Sequence, residues 1–277
     1  MPFPNNQTVD VAFETGAAYE GDDIEIMAKS LTINGQEMEK GVWTHEENAA
    51  IPEGLTVTMV SKKIEITKSG EIDFAATYGT VDGYWQVTVA SGGTVTNTTA
   101  LAGTSGNVIS VSGGGTFVQK VSSPDFASEF RIGKAIVTVV ENRGLGTGRI
   151  RISGYSKAGG TSQLAFANGS AAIEMPNEIV VLGNGESSNQ AKAQIYFGAN
   201  SGLVTFSGDV DAAGCVFSLF ASTALAWTTV GADFTGSVTA RQITLDCRVY
   251  KFHGRVDADE LYACGNANQG ASRYTSG

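Results

Sequence analysis

A seven-residue pattern occurs three times in the last third of the chain and limits the possible folds more than any other feature. The pattern Phe-x-Gly-x-Val-[Asp/Thr]-Ala begins at Phe206, Phe234 and Phe252, so its copies are offset by 28 and 18 residues. Internal similarity at such offsets is typical of solenoids and related repeat architectures, in which each repeat packs against its neighbours. The unequal offsets favour a parallel β-helix, because loops of variable length join its short strands.

The residue types within the pattern predict which side chains are buried. Residues one, five and seven point the same way in a strand, because side chains alternate with a period of two. We therefore expect inward stacks of Phe, Val and Ala, with Phe234 between Phe206 and Phe252. We also expect the Gly to point inward and leave room beside the ring. The intervening residues are polar and are expected to face water: Ser207, Asp209, Asp211, Thr235, Ser237, Thr239, His253, Arg255 and Asp257.

Short alternating runs predict that the rest of the chain is also all-β. Such runs, bounded by Gly, Asn, Asp or Ser, occupy residues 55–60, 63–67, 84–89, 148–153 and 242–246. Asp82-Gly83 lies between two runs and indicates a hairpin. The strongest helix candidate is residues 216–227, and this segment is equally compatible with two strands.

Composition supports a folded chain with many turns and suggests where it divides. The chain has 35 Gly and 5 Pro, with 42% apolar and 17% charged residues. A disordered chain shows the opposite balance of apolar and charged residues. Residues 90–116 are small, polar and largely uncharged, as in a linker or the first turns of a solenoid. We predict a smaller N-terminal β module over residues 1–95 and a parallel β-helix (solenoid) over residues 96–277.

Three glycine-rich segments resemble the autotransporter-associated β-strand repeat. They are residues 113–117, 130–139 and 144–154, which follow one another in the order of that family's strands. Residues 169–181 and the three Phe-x-Gly-x-Val copies resemble the β-helical turns that follow such a repeat. Residues 31–43 are similar to a segment that closes β-helical stretches in related surface proteins. The resemblance implies a secreted or surface-displayed passenger region without chemistry of its own.

The sequence also bears on location and membrane contact. The first residues lack the basic and apolar regions of a secretory signal. No run of 18 apolar residues is present, so we expect no direct membrane insertion. With the family resemblance, these observations predict an extracellular or cell-surface protein that is part of a longer exported chain.

Net charge and cysteine spacing exclude several classes of function. The net charge is −10, from 18 basic and 28 acidic residues, which argues against nucleic-acid partners. The densest basic segment, residues 143–151, carries three Arg. The three cysteines, Cys215, Cys247 and Cys264, form no Cys-x-x-Cys pair, so neither a zinc ribbon nor a redox pair is indicated. Their disulfide state stays open.

Four aspartates are the candidate catalytic residues. Asp209, Asp211, Asp257 and Asp259 lie on or near the predicted outward face, and glycoside hydrolysis needs two carboxylates about 5–10 Å apart. Because the middle copy lacks these acids, the two pairs would be two strand spacings apart, about 9.6 Å. We expect no cofactor, with Ca²⁺ at these acids as the alternative. Trp85 is the candidate carbohydrate contact, because aromatic rings stack on sugars.

These observations leave three hypotheses for function. The leading one is a β-helical passenger or adhesin-like structural segment with no catalytic activity, whose partner is a carbohydrate or a host or cell surface. The first alternative is a carbohydrate-active β-helix enzyme of the polysaccharide lyase or glycoside hydrolase type. The second is a phage tail-fibre segment, which would be an obligate trimer. The sequence does not predict the oligomeric state.

Overall fold

A computed structural model describes twelve stretches of the chain, which are residues 8–14, 24–28, 30–38, 41–46, 48–154, 162–169, 171–183, 193–198, 201–221, 231–246, 249–263 and 272–275. Within these stretches the structure consists of strands and one five-residue helix, α1 (Phe74–Tyr78). Asp73 caps that helix, and its side chain accepts a hydrogen bond from the backbone N–H of Ala76. The prediction of an all-β chain is confirmed.

The first part of the chain forms two small sheets. Its strands are β1 (Thr8–Val11), β2 (Ile24–Met27), β3 (Ser30–Ile33), β4 (Gln36–Met38), β5 (Gly41–Trp43) and β6 (Val57–Val60). The sheet orders are β1-β3-β4 and β2-β6-β5, and each sheet contains one parallel and one antiparallel pair. Leu31, Ile33, Ile51 and Val57 lie in an apolar cluster of their own, in which they are fully buried.

From Lys62 onward the chain returns repeatedly to three stacks of parallel strands. The first stack is β7 (Lys62–Ile66), β9 (Tyr84–Val89), β11 (Val108–Ser112), β13 (Glu129–Gly133), β15 (Ile150–Gly154), β18 (Ile179–Gly183), β21 (Val210–Ala221), β23 (Val238–Asp246) and β25 (Val256–Ala263). The second is β8 (Gly70–Ile72), β10 (Thr94–Asn97), β12 (Thr116–Gln119), β14 (Ile136–Val139), β16 (Ser162–Phe166) and β19 (Ala193–Phe197). The third is β17 (Ile173–Met175), β20 (Leu203–Phe206), β22 (Gly231–Phe234) and β24 (Val249–Phe252).

The long strand β21 joins the first two stacks into one sheet. Its first residues pair with β18 and its last residues pair with β19, with a bulge between Ala212 and Val216. A bulge bends a strand and re-aims its side chains. Strand β23 pairs with β21 both before and after the bulge. On its other side β23 pairs with β25, and the last residues of β25 pair antiparallel with β26 (Ser272–Thr275).

The boundary expected at residues 95 and 96 falls inside β10. This strand pairs with β8 on one side and β12 on the other, and the large sheet already begins at Lys62. The glycine-rich composition nearby has a packing cause. A Cβ at Gly115 would overlap the backbone oxygen of Ala90 in the preceding bend. At Gly115 a side chain is therefore excluded because successive bends lie in contact, as they would not in a linker.

The stacked phenylalanines of the repeat are confirmed. The rings of Phe206 and Phe234 are 4.8 Å apart and inclined by 13°, and those of Phe234 and Phe252 are 5.1 Å apart and inclined by 9°. Phe206 and Phe234 are fully buried, whereas Phe252 is partly buried. The Val and Ala positions also align, as in the pairing of Val210 with Val238.

The expected role of the repeat glycine is wrong, because the pattern spans two strands. Phe206 ends β20 and Val210 begins β21, so Gly208 lies in the bend between them. A Cβ at Gly236 would overlap the carbonyl oxygen of Gly208, and one at Gly254 would overlap that of Gly236. The glycine thus lets successive bends stack backbone to backbone, and it does not make room beside the ring.

The hairpin predicted at Asp82-Gly83 is also wrong. Gly83 has a positive φ of 73°, as in a turn, but β7 and β9 on either side pair in parallel. The chain passes through β8 and α1 before it returns, so the turn leads back to the first stack. Of the helix candidate at residues 216–227, the described part up to Ala221 belongs to β21.

Candidate functional site

The two candidate aspartates within the first repeat copy both accept hydrogen bonds from backbone N–H groups. Asp209 lies in the bend before β21, and its Oδ1 accepts a hydrogen bond of 2.8 Å from the backbone N–H of Ser237. Asp211 lies on β21, and its Oδ1 accepts a hydrogen bond of 3.0 Å from the backbone N–H of Ala213. These carboxylates hold the bend and the bulged strand in place while facing solvent.

The strand register aligns the aspartates by their position in the repeat pattern, and so does not keep the two expected pairs together. Asp211 pairs with Thr239, which pairs with Asp257, so these three residues form one outward row. Asp211 and Asp257 are thus two strand spacings apart, about 9.6 Å. Asp209 in the bend lies outside this row, and Asp259 is exposed farther along β25.

The carboxylate of Asp257 is engaged by a neighbouring cation. Arg255 Nη2 lies 2.9 Å from Asp257 Oδ2, and both side chains are well exposed. An exposed pair of this kind contributes little to stability. In the described part of the chain no group of three or more His, Cys, Asp or Glu side chains is placed to hold a metal ion.

Trp85 does not fit the role of a carbohydrate contact. It points inward from β9, is 1% exposed, and packs against Phe74 with ring centroids 6.1 Å apart. Its Nε1 donates to the backbone oxygen and to Oδ1 of Asp82, and Lys62 Nζ lies 4.3 Å from the ring centroid. The ring therefore has no open face on which a sugar could stack. Its alternation with Val87 and Val89 is the core pattern of an inward-facing row.

A carboxylate and a histidine meet on the third stack, which sequence reasoning did not find. His253 Nε2 lies 3.0 Å from Asp233 Oδ1, although the two atoms lack the alignment of a hydrogen bond. Asp233 is mostly buried and His253 is exposed. The outward row at Asp233 continues to Thr205 on one side and to Lys251 on the other. The register of β22 and β24, which follows the alignment of Phe234 with Phe252 in the repeat pattern, brings these side chains together.

Glu174 connects three segments of the same face. Arg143 Nη2 donates to Glu174 Oε2 at 3.1 Å, and Ser207 Oγ donates to Oε1 at 3.1 Å. Hydrogen bonds from Arg143 and then Ser207 hold the pKa of Glu174 below its usual value. The ionised carboxylate therefore joins the loop before β15, strand β17 and the bend after β20.

Five charged residues form a compact group on the outward face of the first stack, here called the arginine cluster: Glu129, Arg131, Arg149, Arg151 and Glu178. Arg131 on β13 lies directly opposite Arg151 on β15. Arg131 Nε pairs with Glu129, and Arg151 Nε lies 3.2 Å from Glu129 Oε1. Arg149 Nε donates to Glu178 Oε2 at 2.8 Å.

Part of the arginine cluster is withdrawn from water. The side chains of Glu129, Arg131 and Arg151 are 16%, 20% and 28% exposed. Burial lowers the pKa of Arg151; Glu129 opposes this shift, while Arg131 and Arg149 add to it. The sequence placed two of these arginines in its densest basic segment, but it gave no signal for Arg131, which only the strand register adds.

The thiol of Cys215 is buried in β21, with Sγ 3.6 Å from the backbone oxygen of Val181. Cys247 and Cys264 lie outside the described residues, so the question of disulfide pairing stays as the sequence left it.

Comparisons with known proteins add no relative of this chain. No family model, no curated protein and no solved structure matches it. Among the described residues, no helix has the length and apolar character needed to cross a bilayer.

Proposed function

We propose that this chain is a parallel β-helix that presents binding surfaces on a secreted or cell-surface protein, as autotransporter passengers do, and that it has no catalytic activity. The supporting observation is the order of the strands. From β15 to β25 the chain visits the first, second and third stacks in turn, and each strand pairs with its equivalent one turn later. Such a solenoid offers long lateral faces to partners.

The state of the aspartates favours presentation over catalysis. Asp209 and Asp211 accept backbone hydrogen bonds, and Asp257 pairs with Arg255. A general acid in a glycosidase is typically held in surroundings that raise its pKa so that it carries a proton. These carboxylates instead lie in exposed positions and take part in local structural contacts.

A carbohydrate-active enzyme is the second candidate function, because two carboxylates lie in one outward row of the first stack. Asp211 and Asp257 face outward about 9.6 Å apart, close to the carboxylate separation of inverting glycosidases. Thr239 lies between them in the same outward row.

A screen for turnover tests the proposal against this alternative. The chain is incubated with plant, microbial and host polysaccharides, with and without calcium, and reducing ends and unsaturated products are measured. We expect no turnover. Activity that disappears in Asp211→Asn and Asp257→Asn, but persists in the exposed control Asp125→Asn, would replace the proposal with the enzyme.

A further inference from the structure

The arginine cluster carries more positive charge than its own carboxylates balance. It contains three guanidinium groups and two carboxylates, and Glu129 is shared by Arg131 and Arg151. Those two arginines are directly opposite on neighbouring strands, which are about 4.8 Å apart. Like charges in directly opposite positions destabilise a sheet. An anion bound between them would relieve this repulsion.

The donors of the cluster are arranged to receive such an anion. Glu129 and Glu178 contact the arginines through Nε. Within the described residues, the terminal Nη atoms of Arg131, Arg149 and Arg151 make no hydrogen bond. A guanidinium group has five N–H donors in a fixed planar fork, which suits bidentate binding of an oxyanion. The Nη groups of these three arginines are thus available to donate hydrogen bonds to a ligand.

Packing holds the cluster in place before any ligand arrives. The Arg131 guanidinium lies over the ring of Tyr84, 5.3 Å from its centroid, as in a cation–π contact. Arg151 Nε is buried, and the 3.2 Å approach of Glu129 lacks hydrogen-bond alignment. Hydrogen bonds to charged groups are stronger in such surroundings than in water.

We propose that the arginine cluster binds an oxyanion, a carboxylate or sulfate group of an acidic polysaccharide. The polysaccharide is inferred from the proposed function of surface presentation, on which this step rests. The chain has a net charge of −10, which disfavours densely charged polyanions. A polysaccharide whose acidic groups are separated by neutral sugars meets the local positive charge with less repulsion from the rest of the chain.

Calorimetric titration with three polysaccharides tests the site. Hyaluronan carries a carboxylate on every second sugar, κ-carrageenan carries a sulfate at the same spacing, and dextran is uncharged. We expect the chain to bind at least one acidic polysaccharide: hyaluronan if the guanidinium groups accept a carboxylate, or κ-carrageenan if they accept a sulfate. We expect no binding of dextran. Arg151→Gln should weaken that binding about tenfold or more, because it removes charge-assisted hydrogen bonds. Arg151→Lys should weaken it nearly as much, because Lys keeps the charge but lacks the fork.

Arg255→Gln is the matched control, since it removes one exposed positive charge from the same face of the first stack. We expect this variant to change binding less than about twofold. Because Arg151 is partly buried, the folding of each variant is checked by thermal melting, and Arg149→Gln provides a second, more exposed substitution.

The proposal is overturned if neither acidic polysaccharide binds, if dextran binds equally well, or if Arg151→Gln and Arg255→Gln weaken binding alike. None of these results bears on the absence of turnover, so a failure of this site is distinguishable from a failure of the proposed function.

Discussion

Phe234 shows how one repeat position contributes to stability. Its ring lies between two parallel rings, and its side chain is fully buried. The next residue, Thr235, is exposed and its Oγ1 lies 3.5 Å from the backbone oxygen of Phe206, which is a weak hydrogen bond. Neighbouring positions in the same pattern therefore face a packed core and open solvent.

Substitution at these two positions tests the stacking. Phe234→Ala should lower the free energy of unfolding by about 3–5 kcal/mol, because it leaves a cavity between Phe206 and Phe252. Thr235→Ala should change it by less than about 0.5 kcal/mol. Equilibrium denaturation in urea measures both. Equal changes in the free energy of unfolding would mean that the stacked rings do not stabilise the core.

At the scale of the residue, the sequence predicted the core better than the sites. Hydrophobic alternation is enough to place Phe206 and Phe234 inside, because burial depends on residue type and period. The same rule should have placed Trp85 inside, since it alternates with Val87 and Val89. The contact between Asp233 and His253 follows from the alignment of Phe234 with Phe252, which the repeat pattern supplies, but Asp233 lies just outside the pattern and so was not considered with it.

The bends, rather than the strands, set the geometry of the repeat. The backbone of Gly236 lies against the carbonyl oxygen of Gly208, and Gly254 lies in the same way against Gly236. In the last turns, β21, β23 and β25 pair in register where the bends that precede them approach this closely. The two-strand structure of the pattern was not predictable from alternation, because Phe206 and Val210 are both buried on either side of the bend.

An alanine at one of these bends should therefore be poorly tolerated. Gly236→Ala should destabilise the chain by about 1–3 kcal/mol, because the new Cβ overlaps backbone that cannot move without shifting the neighbouring bend. The control is Gly133→Ala, since a Cβ there meets no atom within 4 Å and the backbone φ does not require glycine. Thermal melting of the two variants gives the comparison, and a Gly236→Ala variant as stable as Gly133→Ala would contradict close stacking of the bends.

At the scale of the whole molecule, most of the core among the described residues is enclosed by one chain, and its last turn is partly open. Phe206, Val204 and Phe234 have no exposed surface in a single copy, and the apolar cluster extends from β7 to β25. A fibre trimer whose chains share one core would leave part of this apolar surface to be covered by partner chains. The sequence could not decide between the two architectures, because repeat patterns and alternation are common to both.

The mass in dilute solution separates these architectures. Light scattering coupled to size exclusion should give about 28.8 kDa, the mass of one chain. A stable species of three chains would support the fibre alternative. Val256 at the last described turn is 41% exposed, so repeating the measurement at higher concentration shows whether copies associate end to end.

The parallel pairing of each strand with its equivalent one turn later also has a kinetic consequence. Strand β11 pairs with β9 before it in the chain and with β13 after it, and the other stacked strands follow the same rule. Among the strands that the structure describes, no pairing waits for the far end of the chain to be made. Folding can therefore advance from one turn to the next as the polypeptide emerges, with each finished turn serving as the template for the one that follows.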